Sequence, residues 1–273
     1  MNWSKSKTIF ILLFILIDLS LMGYLAFDRI TDRLIPRSAV EQVCLYLENH
    51  QVHLDAKLLP RWTPKVRNLE FTNILDKDLP FLKQFETDIE ELGQIEGELK
   101  LEKGERSIII QENNFDYRDL LNPNEYSVAS ANTLKYLKSY LTSLGFDVRQ
   151  AEVQLTDEGE GLVTYRFTQA AEGLSVDDIT VDVSLSASGE VRAQGIWLNP
   201  VDAPNEYKKA LVRPITGTLV EFSRKIDREA TITDIAIKYR VDETKSYHKT
   251  FTAVAVWRIG ISDGTYYYHN ARQ

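Results

Sequence analysis

Two hydrophobic patterns divide the chain. Residues 8–27 are almost all apolar, with a single carboxylate, Asp18, near the middle. About 20 such residues in a helix cover the hydrocarbon core of a bilayer, so this run is predicted to be a membrane-crossing helix. Beyond it the apolar positions become periodic, and each element has one dry and one wet face.

The charges flanking the run set an orientation. Lys5 and Lys7 precede it, whereas Asp28, Arg29, Asp32 and Arg33 roughly cancel after it. An excess of Lys and Arg favours the cytoplasmic side. The expected layout is a cytoplasmic tail (1–7), a transmembrane helix (8–27), a juxtamembrane linker (28–37) and an extracytoplasmic C-terminal region in a cell membrane. A cleaved signal peptide is the competing reading. It wants a shorter apolar core and a small-x-small exit, but the exit here is the bulky Gly23-Tyr24-Leu25-Ala26-Phe27.

A carboxylate at mid-membrane costs about 2.5–3.5 kcal/mol, and such residues are functional candidates by default. Ser20 and Gly23 share a helix face with Leu16 and Phe27, and Asp18 lies nearly opposite. Small residues allow close helix approach. Asp18, Ser20 and Gly23 are therefore the candidate contacts with membrane partners. The plainer reading of Asp18 is a polar residue tolerated within its own helix.

The outer region reads as α+β, with antiparallel sheets packed on helices. Ser38-Ala39-Val40-Glu41 has the form of a capping box opening a helix to about Asn49. Prolines 60, 64 and 80 then punctuate an irregular stretch, with a short strand expected over Val66–Phe71 and a short helix over Leu79–Phe85. Residues 95–101 and 106–111 form a hairpin about Lys103-Gly104. Leu134, Leu137, Leu141 and Leu144 recur at helical spacing, and Gly145 suits the position after a helix end. Strands follow at Val163–Thr168, Ile179–Leu185 and Val191–Trp197, each alternating wet and dry. A second helix over 217–226 is again followed by strands, at 235–241, 251–259 and 266–270. The cores Thr164-Tyr165-Arg166 and Lys238-Tyr239-Arg240 look alike. Two subdomains, 38–127 and 128–273, are expected.

Composition narrows the partners. The chain has 40 acidic against 32 basic residues, a formal net charge of −8, which argues against nucleic acid and against an anionic membrane face as ligand. Its single cysteine excludes an internal disulfide. Cys44 falls on an apolar stripe with Val40, Val43 and Leu47 and reads as a buried small hydrophobe. No nucleophile elbow, phosphate-binding glycine loop or zinc-protease motif is present. His50 and His53 read as helix-end surface residues rather than metal ligands. The acidic stretches 86–91 and 157–161 lack calcium-loop spacing and read as a solvated helix face and a hairpin turn. No catalytic residue, metal or cofactor is expected. Tyr266-Tyr267-Tyr268 alternates on a strand, so Tyr266 and Tyr268 share a face and form a candidate protein-contact hairpin. Core packing with cross-strand pairing is the plainer account.

The chain's two ends carry a resemblance. Asn2-Trp3-Ser4-Lys5-Ser6-Lys7-Thr8-Ile9-Phe10-Ile11, followed by an apolar helix with one mid-helix polar residue, resembles the opening of the YycI family, also called WalI. That family usually has Asn where this chain has Asp18, which alters the polarity of the contact. Trp257-Arg258-Ile259, then Asp263-Gly264 and Tyr267-Tyr268-His269-Asn270-Ala271, resembles the family's terminal motif. Length and single-anchor layout also match. The resemblance implies a non-enzymatic regulator that associates, with a YycH-like membrane protein, with a WalK-type sensor histidine kinase controlling cell-wall homeostasis. An extracytoplasmic enzyme and a ligand-binding or PepSY-like protease-inhibitor module are the alternatives. The enzyme predicts a cleft with convergent acids, and the ligand-binding module a closed apolar pocket.

Overall fold

The computed structural model describes residues 3–31, 33–72, 85, 98–111, 113–121, 132–159, 161–201, 209–242 and 250–272. The described helices are α1 (Trp3–Thr31), α2 (Arg37–Glu48), α3 (Thr133–Ser143) and α4 (Ile215–Ser223). Strands β1 (Val52–Leu54), β2 (Lys65–Val66) and β3 (Leu69–Thr72) come first, then β4 (Glu98–Lys103), β5 (Arg106–Gln111) and β6 (Asn114–Leu120). After α3 come β7 (Glu152–Gly159), β8 (Leu162–Ala171), β9 (Leu174–Ser186), β10 (Glu190–Ile196), β11 (Asn199–Val201) and β12 (Ala210–Leu211). After α4 come β13 (Ala230–Val241), β14 (Thr250–Ile261) and β15 (Tyr266–Asn270). The class is α+β.

The chain forms two compact units, both discontinuous in sequence. The first holds residues 1–66, 209–236 and 257–273, and the second holds 67–208 and 237–256.

The second unit contains a sheet whose strands run β4–β5–β6–β10–β9–β8–β7, every neighbouring pair antiparallel. Its dry face is built by alternation. Phe115 and Tyr117 on β6, Val181, Val183 and Leu185 on β9, and Val191 and Ala193 on β10 are all buried. They pack with Leu137 and Leu141 of α3. The helix stops where its sequence directs. Phe146 N–H donates to Leu141 O at 3.0 Å and Gly145 N–H to Thr142 O at 3.0 Å, with Gly145 at φ +100°. This is the paired bond pattern that a left-handed glycine permits. In the same unit β3 pairs antiparallel with β11 and with β14, and β13 meets β9 in parallel at Tyr239 and Val176.

The first unit packs α2 against α4. Beside them β1 pairs in parallel with β13, Val52 opposite Ala230, and β2 pairs with β12. Val43, Leu47, Leu219, Phe222 and Trp257 are buried here. The start of α2 differs from the capping-box reading. Pro36, not Ser38, is the cap, and no side chain bonds to the first turn. The Pro36 carbonyl accepts from Ala39 N–H and Val40 N–H at 3.0 and 3.2 Å, so the backbone closes the turn. Glu41 turns instead to Arg37, at 3.1 Å.

The segment read as a linker is partly structured. Helix α1 continues to Thr31, and Leu34 forms an antiparallel bridge with Trp62. Ile35 N–H donates to Arg61 O at 3.0 Å and Thr63 N–H to Arg33 O at 2.9 Å. The membrane crossing expected over 8–27 finds no support in the structure: among the described residues no helix is long and apolar enough to cross a membrane. On α1 the side chains described are those of Lys7 and residues 11–24. The expected helix over 79–85 and the acidic stretch 86–91 lie outside the described residues, apart from Phe85, which is in a turn.

Candidate functional site

Three places present candidate sites: the surface of α1, the terminal hairpin, and the polar groups of the second unit. On α1 every described side chain from Ile11 to Tyr24 is exposed. The exposed apolar groups range from Ile17 at 46% to Met22 at 69%. Asp18 and Ser20 lie among them, also exposed. A Cβ added at Gly23 would meet no atom within 4 Å, so the notch it makes is open.

The terminal hairpin presents Tyr266 in a fixed setting. The ring lies over Gly260, where an added Cβ would sit 3.0 Å from Tyr266 Cε1. A side chain at this position would press on the ring, which would have to give by a few tenths of an ångström. The Arg258 guanidinium stacks on the ring at 4.8 Å and is held by Asp234 at 3.0 Å. Tyr266 remains 51% exposed, and Tyr268 is half-buried. The intervening Tyr267 points to the opposite side, edge-on to Phe222 at 5.2 Å. Tyr267 thus packs on the core helix, while Tyr266 presents an exposed ring braced by Arg258.

Other residues of the terminal motif hold this hairpin together. Trp257 Nε1–H donates to Arg213 O at 2.8 Å. Ala271 O accepts from Arg213 N–H at 2.8 Å. Asp263 accepts from Thr265 N–H at 2.8 Å and pairs with Arg228. The Thr265 bonds, with Arg228 beside them, hold the Asp263 carboxyl below its usual range.

In the second unit the buried carboxylate of Asp119 lies between α3 and the sheet. It accepts from Tyr140 Oη, from Arg106 Nε at 3.1 Å and from Tyr117 Oη at 3.3 Å. Burial pushes the Tyr117 phenol up to about 12. It raises the Tyr140 phenol as well, with Tyr117 and Asp119 adding to the effect. Every partner belongs to the scaffold, and the cluster reads as a clamp between helix and sheet. The opposite, wet face of this sheet carries Arg192 on Asp116 at 2.7 Å and Arg166 on Asp182 at 2.8 Å, both bidentate. The Arg192 bonds hold the Asp116 carboxyl below its usual range. Between them lies a depression of about 430 Å³ lined by Gln111, Asn114, Asp116, Asp182 and Gln194. Gly195 forms part of its floor at φ +148°, and a Cβ there would strike Thr180 O at 2.2 Å.

No family model matches the chain, and no curated protein matches it. Among solved structures it is similar to an uncharacterized protein from Eubacterium rectale ATCC 33656. The identity is 8%, over 81% of this chain and 88% of that one, with a TM-score of 0.51. This likeness is one of fold. The chain also aligns with the Bacillus megaterium YpeB C-terminal domain, at 11% identity over 88% of this chain and 95% of that one, with a TM-score of 0.32. That score is too low to bear on function.

The remaining candidates have ordinary roles. His50 Nδ1 lies 2.8 Å from Tyr46 O and its ring stacks on Tyr46. His53 meets Glu229 at 3.2 Å. Cys44 is half-buried, and burial, then Glu48 and Asp55, raise its thiol. Among the described residues no three His, Cys, Asp or Glu side chains are grouped to hold a metal ion. The Asp119 clamp and the wet-face ion pairs were not anticipated from sequence. An acid at the third inward position of β6, after Phe115 and Tyr117, was the available signal.

Proposed function

We propose that this chain is a membrane-anchored, non-enzymatic regulator. It binds a WalK-type sensor histidine kinase, acts with a YycH-like membrane partner, and holds its C-terminal region outside the cytoplasm. The observation that carries the reading is the outward-facing apolar surface of α1 from Ile11 to Tyr24, broken by Asp18. A continuous apolar surface of this kind calls for lipid or a partner helix. The sequence run 8–27 has the length of a bilayer crossing, and α1 as a whole, at 29 residues, is about 43 Å long. The sequence resemblance at the two ends supplies the partner.

A regulator without chemistry acts by preferring one state of its target. A preference of about 1.4 kcal/mol changes the ratio of two kinase states tenfold. One polar contact within the membrane together with a packed aromatic such as Tyr266 is enough for that.

Detergent extraction of the tagged chain from its host, followed by co-purification, tests the reading. The kinase is expected in the eluate, with its autophosphorylation rate altered by the added chain. Absence of the kinase together with an unchanged rate, or a chain released into the medium after clipping near residue 27, would overturn it.

A further inference from the structure

The bridge that follows α1 has a surface that the anchor reading leaves unassigned. Leu34 and Trp62 are directly opposed, and the flanking hydrogen bonds lie on either side of them, between 33 and 63 and between 35 and 61. In such a pair both side chains stand on one face and close together. Their neighbours Ile35 and Thr63 point the other way and are buried. Leu34 is 45% exposed and Trp62 42% exposed. Arg33 lies over the Trp62 ring at 5.4 Å, and Arg61 beside it is exposed.

The composition of this face is that of a bilayer interface. Tryptophan collects at the headgroup level because its ring is apolar with one polar edge. Arginine lays its stem on apolar surface and keeps its charge in the headgroups. The position fits as well. Thr31 ends the helix about 6 Å beyond Phe27, and the three steps on to Leu34 span at most about 11 Å. The headgroup layer itself is about 5–8 Å deep on each side. The tether is thus at most about 17 Å from Phe27, short enough for the face to fold back onto that layer. Arg29 and Arg33 are offset by Asp28 and Asp32, which leaves Arg61 as the unbalanced charge of this neighbourhood.

We propose that the Leu34–Trp62 face, with Arg33 and Arg61, seats on the lipid headgroup layer from which α1 emerges. This rests on the anchor reading above. The occupant is lipid rather than protein, because covalent continuity with the apolar run brings the face to the bilayer whatever else binds.

The test uses the whole chain in phosphatidylcholine vesicles containing a phosphatidylglycerol fraction, with Trp3 replaced by Phe. Trp62 then remains with Trp197 and Trp257, which are buried. Lipids brominated near the headgroups should quench a component of the fluorescence more than lipids brominated near the chain ends. Trp62→Phe should abolish that component, and Leu34→Asp should reduce it. Sedimentation of the vesicles after alkaline washing reports the anchor separately. A chain that sediments without shallow quenching of Trp62 overturns the seating and leaves the anchor standing. A chain that washes off overturns both.

Discussion

Asp119 is 4% exposed and accepts from a guanidinium and two phenols. Removing one donor leaves a buried carboxylate short of a hydrogen bond, which costs about 1–3 kcal/mol. Tyr140→Phe, which keeps the ring packing, should lower stability by that amount in urea unfolding. His269 makes a different prediction. It is buried edge-on to Phe222 at 6.4 Å. Burial, then the charge of Lys225, depresses its basicity below the ordinary 6.5. The unfolded chain therefore takes up this proton first as pH falls. The associated stability is fully present above pH 6.5 and declines as pH drops from there towards the lower folded-state value. His269→Gln should flatten the acid side of a melting-temperature profile in that window. The setting of Tyr266 was not legible in sequence at this scale. The glycine beneath it, the arginine above and the aspartate holding that arginine come from β13 and β14, and local pattern does not report such neighbours.

Elements were legible where each had a clean dry face. Strands β8, β9 and β10 alternate over their central residues, and α3 has its leucines and its terminal glycine in place. Among the described strands β1, β6, β7, β11 and β12 escaped, three of them only two or three residues long. The edge strand β7 is exposed or half-exposed along its whole length, so burial imposes no alternation on it. On β6 the third inward residue is Asp119, which hides the period. On the proposed anchor reading, α1 carries a prediction at this scale. Asp18→Leu should keep the chain in the membrane fraction, because it makes the run more apolar. It should reduce recovery of the proposed kinase partner. Full recovery with unchanged autokinase output would remove Asp18 from the contact.

At the scale of the molecule, sequence order and compact units part company. Residues 209–236 and 257–273 return to the unit that holds 1–66, while 237–256 belong with 67–208. Hydrophobic period reports what a segment buries, not where in the chain its partner lies, so this return is invisible in sequence. A chain ended after Val201 leaves β1 without its parallel neighbour at Ala230–Ile232 and α2 without α4. Hydrogen exchange on that truncated chain should show residues 37–54 unprotected. The β4–β10 sheet, whose strands and helix are consecutive in sequence, should keep its slow amides. The nearness of Thr31 to Arg33 in sequence has a mechanical consequence. Two Cα steps span at most about 7 Å, and the bonds at 33–35 follow at once. On the proposed anchor reading, a twist or piston stroke of α1 larger than that slack should reach the Arg61–Thr63 segment as torque or pull.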